Sequence, residues 1–335
     1  MKIKGANGIS NGMNEVLIEI DRYMIDGTGR GLSVKTLRSY EQTLRLFQRY
    51  LSEKHVIDKP TQVKPEHIRS YFAFVRERGK YGALSDDRTA KINGPHNRPD
   101  FGKTVSETTL ANYQRNINAF FGYLYREKII KKNPCEGIER IKPQRKIKTL
   151  LSENELHLFF RAFDVSTFHG FRDWIMARMI LDTGSRIGEL VSIVPGDIDL
   201  RNGALLLRNT KSKKERFVYF SQKTARNLKS WLEYRERYTD SRYVFPTTRG
   251  SYMDIRTVES SFKKHSRLVG LDVQPHQLRN NFAKYYLLAG GDFVTLSRIL
   301  GHASVEVTQQ AYLDFNDKEI GQKYQKHSPL NNLNI

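Results

Sequence analysis

Between Val16 and Leu124, four stretches return apolar side chains at steps of three and four, and that spacing commits this half of the chain to helices. Leu37, Tyr40, Leu44, Phe47 and Leu51 follow Ser33, whose hydroxyl suits an N-cap. Leu110, Tyr113, Ile117, Phe120, Phe121 and Leu124 follow Ser106 in the same way. Val16, Ile20 and Met24 mark a shorter helix before these, and Ile68, Tyr71, Phe72 and Val75 another between them. Four amphipathic helices, each with one apolar stripe to bury, can close a small core.

Two breaks interrupt the pattern. Residues 79–105 gather Gly79, Gly82, Gly94, Pro95, Pro99 and Gly102 among polar side chains and read as a long inserted loop. Lys142-Pro-Gln-Arg-Lys-Ile-Lys148 is basic, proline-marked and free of apolar periodicity, so 142–150 reads as a linker. Lys142, Arg145, Lys146 and Lys148 suit a strand lying on the phosphates of a polyanion, although a solvated linker has the same look. The expected organisation is a flexible tail over 1–14, a helical domain over 15–141 and a second domain over 151–335.

The second domain opens on Ser152-Glu-Asn-Glu155, a capping box. Ala204–Arg208 and Arg216–Phe220 are strand candidates separated by a polar turn, a β-hairpin in a domain otherwise read as helical. Pro275–Ala289, closed by Gly290-Gly291, and Asp292–Leu300, closed by Gly301, are helices. The fold class is therefore multidomain and mainly α, with an α+β second domain holding a small antiparallel sheet.

Scattered through that second half are Arg186, Lys211, His276, Arg279, His302 and Tyr312. A guanidinium fork matches two phosphate oxygens and never loses its charge, so Arg186 and Arg279 can grip a phosphodiester. Arg186 stands where Asp182-Thr-Gly-Ser185 gives way to a helix, whose N-terminus adds partial positive charge. His276 and Arg279 are three apart and share a helical face, leaving Leu278, Phe282 and Tyr286 for the core. The histidines can hold or move protons, and a tyrosine can attack phosphorus once its proton is drawn away. No step in that list needs a metal, and no His-Glu-x-x-His or cysteine pair offers a zinc site.

Charge points to the same partner. The 335 residues carry a formal net charge of +20 and a pI near 9.9, which fits a polyanion. RNA, ribosome or an acidic lipid surface would also fit this charge. A single cysteine, Cys135, excludes an internal disulfide and suits a reducing cytosol. No apolar run approaches the roughly 18 residues that span a bilayer, and the first residues lack the apolar core of a secretion signal. No membrane partner is expected.

In their order and gaps, Gly184-Ser-Arg-Ile-Gly-Glu-Leu190, His276-Gln-Leu-Arg279, Leu300-Gly-His302 and Tyr312 resemble the tyrosine recombinases of the phage-integrase family, in the style of Xer-type and transposon-borne enzymes. The resemblance runs from about Val16 to about His327. It implies a core-binding first domain and a catalytic second domain that clamp duplex DNA. It implies strand cleavage through a 3′-phosphotyrosyl ester on Tyr312, which stores the energy of the broken bond so that no ATP is needed. Four subunits on two DNA sites, a dimer on each, would pass through a Holliday junction without cofactor or metal. Localisation would be cytoplasmic, at the nucleoid.

Roles follow residue by residue from that resemblance. Lys211 precedes Lys214-Glu-Arg216 by three residues, as the family's general acid does, with Lys213 and Lys214 as neighbouring DNA contacts. His276 and His302 would hydrogen-bond the non-bridging oxygens. Glu189 matches an acidic family position that orients the cluster. Residues 316–335 form a tail that would dock on the neighbouring subunit. Tyr324 competes with Tyr312 but lies too far along to match the family spacing. A type IB topoisomerase, or a DNA-binding regulator without catalysis, remains as an alternative.

Overall fold

The computed structural model describes residues 14–82, 94, 97–143, 150–208, 215–312 and 321, with Tyr312 described by its backbone alone. The chain divides into two units, Met1–Lys146 and Ile147–Ile335. Among the described residues it is mainly helical with one small antiparallel sheet, in keeping with the expected fold class. No helix among them is long and apolar enough to cross a membrane.

The first unit is built on α1 (Glu15–Gly29), α2 (Val34–His55), α3 (Pro65–Arg78) and α4 (Glu107–Arg126). Each start has a local cause. Asn14, Ser33 and Ser106 accept from the amides of Leu17, Thr36 and Thr109, and α3 begins on Pro65. Leu44, Phe47, Leu51, Ile68, Tyr71, Val75, Leu110, Ile117, Phe120 and Leu124 form one buried core. Truncating Phe47 to alanine would cost about 3–5 kcal/mol there. One polar tie crosses this core: buried Asn116 donates to Thr43 Oγ1 at 2.9 Å, joining α4 to α2. The ends of the inserted loop are pinned together, Lys80 donating to the Lys103 carbonyl at 2.8 Å and Gly102 to that of Lys80 at 2.9 Å.

The second unit starts at α5 (Glu153–Arg161), whose Ser152 and Glu155 form the expected capping box. Just before it, Leu151 exchanges two hydrogen bonds with buried Asn281, at 3.2 and 2.6 Å. The central element is α6 (Phe168–Thr183), buried over much of its circumference, including Ile175, Met176, Met179 and Ile180. A short α7 (Ile187–Leu190) leads to β1 (Ile198–Asp199), β2 (Ala204–Leu207) and β3 (Arg216–Tyr219), in sheet order β1-β2-β3. The expected hairpin is thus the larger part of a three-stranded sheet, with Leu205 opposite Val218 and Leu207 opposite Arg216. Then follow α8 (Gln222–Arg235), α9 (Ile255–Arg267), α10 (Pro275–Leu288), α11 (Phe293–Leu300) and α12 (Val305–Tyr312). Trp231 of α8 is fully buried in this core and donates its indole N–H to the Val244 carbonyl at 2.9 Å.

Candidate active site

The site forms where α11 ends. Gly301 closes that helix with φ +63°, a left-handed conformation that suits glycine. The last carbonyls of a helix lack intrahelical partners and carry partial negative charge. Three guanidinium groups from elsewhere in the chain take them in succession. Arg216 of β3 donates Nε to the Ile299 carbonyl at 2.8 Å. Arg279 of α10 donates Nη2 to Leu300 at 2.7 Å. Arg186, which precedes α7, reaches Gly301 with Nη2 at 3.5 Å.

Each arginine is held from behind. Arg279 is only 2 % exposed, and its Nη1 donates to the Gly184 carbonyl. Gly184 ends α6 with φ +65°, and a Cβ there would lie 2.3 Å from the Phe282 ring, so only glycine allows this approach. Arg186 is the N-cap of α7, with its side chain 30 % exposed. The helix expected after it is a single turn of four residues, too short for a sizeable macrodipole. Its N-terminal charge therefore comes from individual amides.

Glu189 sits among these cations with its side chain 3 % exposed. It accepts from the Arg186 amide at 2.8 Å and from Arg186 Nη1 at 3.0 Å. Arg216 grips both its oxygens, Nη1 and Nη2 each donating at 2.9 Å. Burial pushes the Glu189 carboxyl up, but hydrogen bonds and charge from Arg216 and then Arg186 outweigh it and hold it below the ordinary value of 4.5. Three guanidinium groups against one carboxylate leave a formal surplus of two positive charges around the end of α11. Such a surplus suits a phosphodiester.

Hydrogen bonds pair Arg186 with Glu189 and Arg279 with His302, and the two arginines meet on the adjacent carbonyls of Gly301 and Leu300. His302 Nε2 lies 3.4 Å from Arg279 Nη2, and its Nδ1 lies 2.8 Å from Thr308 Oγ1. His276 lies exposed in the first turn of α10, three residues before Arg279. Tyr312 is the last residue of α12, one turn after Thr308. Lys142 is exposed. Lys211, Lys213, Lys214, Arg145, Lys146 and Lys148 lie outside the described residues, as does the tail over 316–335 apart from Gly321.

Comparison with known proteins places the chain in a family. The profile of the phage integrase family matches residues 149–319, and that of the phage integrase N-terminal SAM-like domain matches residues 21–90. The chain belongs to the phage integrase family. It is similar to the tyrosine recombinase XerC of Thermodesulfovibrio yellowstonii, 28% identical over 310 residues covering 90% of this chain and 92% of that protein. In fold it is similar to the Tn1549 transposon integrase in complex with transposon right end DNA, with a TM-score of 0.67, 16% identity, and coverage of 92% and 99% of the two chains. A lambda integrase tetramer bound to a Holliday junction gives a TM-score of 0.63 at 18% identity, covering 91% of this chain and 80% of that one.

Within this phage-integrase unit, two residues of the cluster escape the sequence reading. Arg216 appears there as the start of a strand candidate and as the end of the Lys214-Glu-Arg216 triplet that sets the place of Lys211, with no role of its own in the site. Thr308 carries no sequence signal beyond standing four residues before Tyr312.

Proposed function

We propose that this chain is a site-specific tyrosine recombinase that cuts and rejoins DNA through a 3′-phosphotyrosyl intermediate. The observation that carries the reading is the meeting of Arg186 and Arg279 on adjacent carbonyls, Gly301 and Leu300, immediately before His302. A phosphodiester entering there exchanges a partial negative charge for a full one, and the gain is largest as phosphorus becomes pentacoordinate.

The Tyr312 oxygen attacks phosphorus, forming the phosphotyrosyl ester while the bond to the 5′ oxygen breaks. Arg186 and Arg279 hold the non-bridging oxygens, with His302 beside them. His276 takes the phenolic proton and Lys211 delivers one to the departing 5′ oxygen, which leaves poorly without it. Rejoining reverses these transfers, so the bond count is conserved and no nucleotide is consumed. Glu189 orients Arg186. Lys142, Arg145, Lys146, Lys148, Lys213 and Lys214 supply phosphate contacts.

Four subunits on two DNA sites, a dimer on each, exchange strands through a Holliday junction, with the tail beyond residue 316 docking on a neighbour. The similarity to transposon and Xer recombinases supports integration, excision or resolution acting on a mobile or circular DNA at the nucleoid.

Trapping covalent protein–DNA adducts in cells that carry this protein, and sequencing the attached DNA, tests the reading. A discrete site recovered with DNA joined through its 3′ phosphate, and recombining when present twice, is the expected result. Relaxation of supercoils at scattered positions with no exchange between two copies would point to a topoisomerase. An absence of adducts would contradict both.

A further inference from the structure

We propose that Arg216 is a positioning residue: it neutralises Glu189 so that the Arg186 guanidinium is available to DNA phosphate. The inference rests on the recombinase reading above. It starts from a conflict within the cluster. Glu189 is needed to cap α7 and aim Arg186, yet a buried carboxylate 3.0 Å from Arg186 competes directly with any phosphate for that cation. With its side chain 3 % exposed, Glu189 has little water to weaken that competition.

Arg216 resolves the conflict by geometry. Its fork closes on both Glu189 oxygens at 2.9 Å, whereas Arg186 meets one of them with one side-chain nitrogen. Two parallel charge-assisted bonds outcompete one, so the carboxylate charge is spent chiefly on Arg216. Arg216 is placed for this and for little else. Its side chain is 12 % exposed, and its Nε is committed to the Ile299 carbonyl. A Cβ on Gly301 would lie 3.0 Å from Arg216 Cζ, so the guanidinium packs flat against that glycine. The more exposed Arg186, at 30 %, is the cation left facing outward. Because Arg216 opens β3, the same contact also anchors the strand that follows the Lys211 segment to the last turn of α11, three residues before His302.

A purely structural brace and a charge neutraliser differ in one respect. If Arg216 only braces the strand, removing Glu189 as well makes matters no better. If Arg216 shields Arg186 from Glu189, neutralising the carboxylate restores what its loss removed.

The test is single-turnover cleavage of a nicked duplex carrying the site recovered by adduct mapping, at saturating DNA, with thermal midpoints and DNA affinity measured alongside. Arg216→Met is expected to slow cleavage by about tenfold or more while DNA affinity changes little. The double variant Glu189→Gln/Arg216→Met is expected to recover most of that loss, a coupling of the size usual for charges sharing one network. Arg216→Lys, which keeps the cation but not the fork, should fall between wild type and Arg216→Met. If Arg216→Met does not fold, the same comparison is made with Arg216→Lys and Glu189→Gln/Arg216→Lys. Wild-type cleavage by the single variant, or a double variant as slow as the single one, would overturn the inference. A wild-type protein that forms no adduct on this DNA would instead overturn the recombinase reading.

Discussion

The imidazole of His302 is tied to Thr308, 2.8 Å from Nδ1 to Oγ1, and Thr308 lies one helical turn before Tyr312. Since the guanidinium of Arg279 can only donate, the 3.4 Å contact at Nε2 requires that nitrogen to accept. The proton then resides on Nδ1 and is donated to the threonine. Residues four apart share a helical face, so this bond links the histidine of the proposed phosphate site to the helix that ends in the proposed nucleophile.

Thr308 is fully buried. Thr308→Val keeps its shape and removes the acceptor, so the His302 Nδ1 proton loses its partner. Stability should fall by about 1–3 kcal/mol and cleavage by about tenfold, with DNA affinity unchanged. Melting and single-turnover cleavage measure both. Full activity in this variant would show that the histidine needs no such tether.

Arg279 holds three groups at once: the Gly184 carbonyl, the Leu300 carbonyl and His302. Arg279→Ala should therefore lower both stability and cleavage, the latter by at least about a hundredfold. Because side chains supply the positive charge, wild-type cleavage should proceed undiminished in EDTA. EDTA-sensitive cleavage would require a different source of transition-state stabilisation.

Lys211 is separable from the clamp by its leaving group. A 5′-bridging phosphorothiolate departs as a thiolate and needs no proton, so Lys211→Ala should be slow on normal DNA and near wild type on this substrate. Arg186→Ala should be slow on both. Equal defects of Lys211→Ala on the two substrates would assign the general acid elsewhere.

Glu189 contributes to the acid limb of stability. Its folded value lies below the ordinary 4.5, so its stabilising contribution is complete above about pH 4.5 and is lost as pH falls through the depressed value. The thermal midpoint gap between wild type and Glu189→Gln should accordingly stay constant from pH 7 to about pH 5 and shrink only below that. A gap that closes between pH 7 and pH 6 would mean that Glu189 is not held ionised by its arginines.

Helices with one buried face were legible because burial leaves a period in the sequence, as at Leu44, Phe47 and Leu51. The central α6 was not, since Ile175, Met176, Met179 and Ile180 bury several sides and leave no single stripe. The helices α8 and α9 do carry the spacing, at Leu228 and Trp231 and at Val258 and Phe262, and reading for polar motifs passes over them. Strand β1 has two residues and no periodicity to show.

Within the site, Arg186, Glu189, Arg279 and His302 stood out because each occupies a short motif. Arg216 did not, because its use depends on where β3 lies against α11, a tertiary fact. Thr308 was hidden for a similar reason: a threonine in a helix becomes a histidine's partner only once the turn between α11 and α12 is formed. The single turn after Arg186 was also unreadable, since the sequence announces that helix's start but nothing marks so early an end.

Tyr312→Phe tests the central claim most directly. The substitution removes one oxygen and leaves α12 its aromatic side chain, so folding and DNA affinity should match wild type. Incubated with the nicked site, wild type should give an SDS-resistant adduct whose phosphorylated peptide maps to Tyr312, and the variant should give none. An adduct of wild-type yield from Tyr312→Phe would contradict the account.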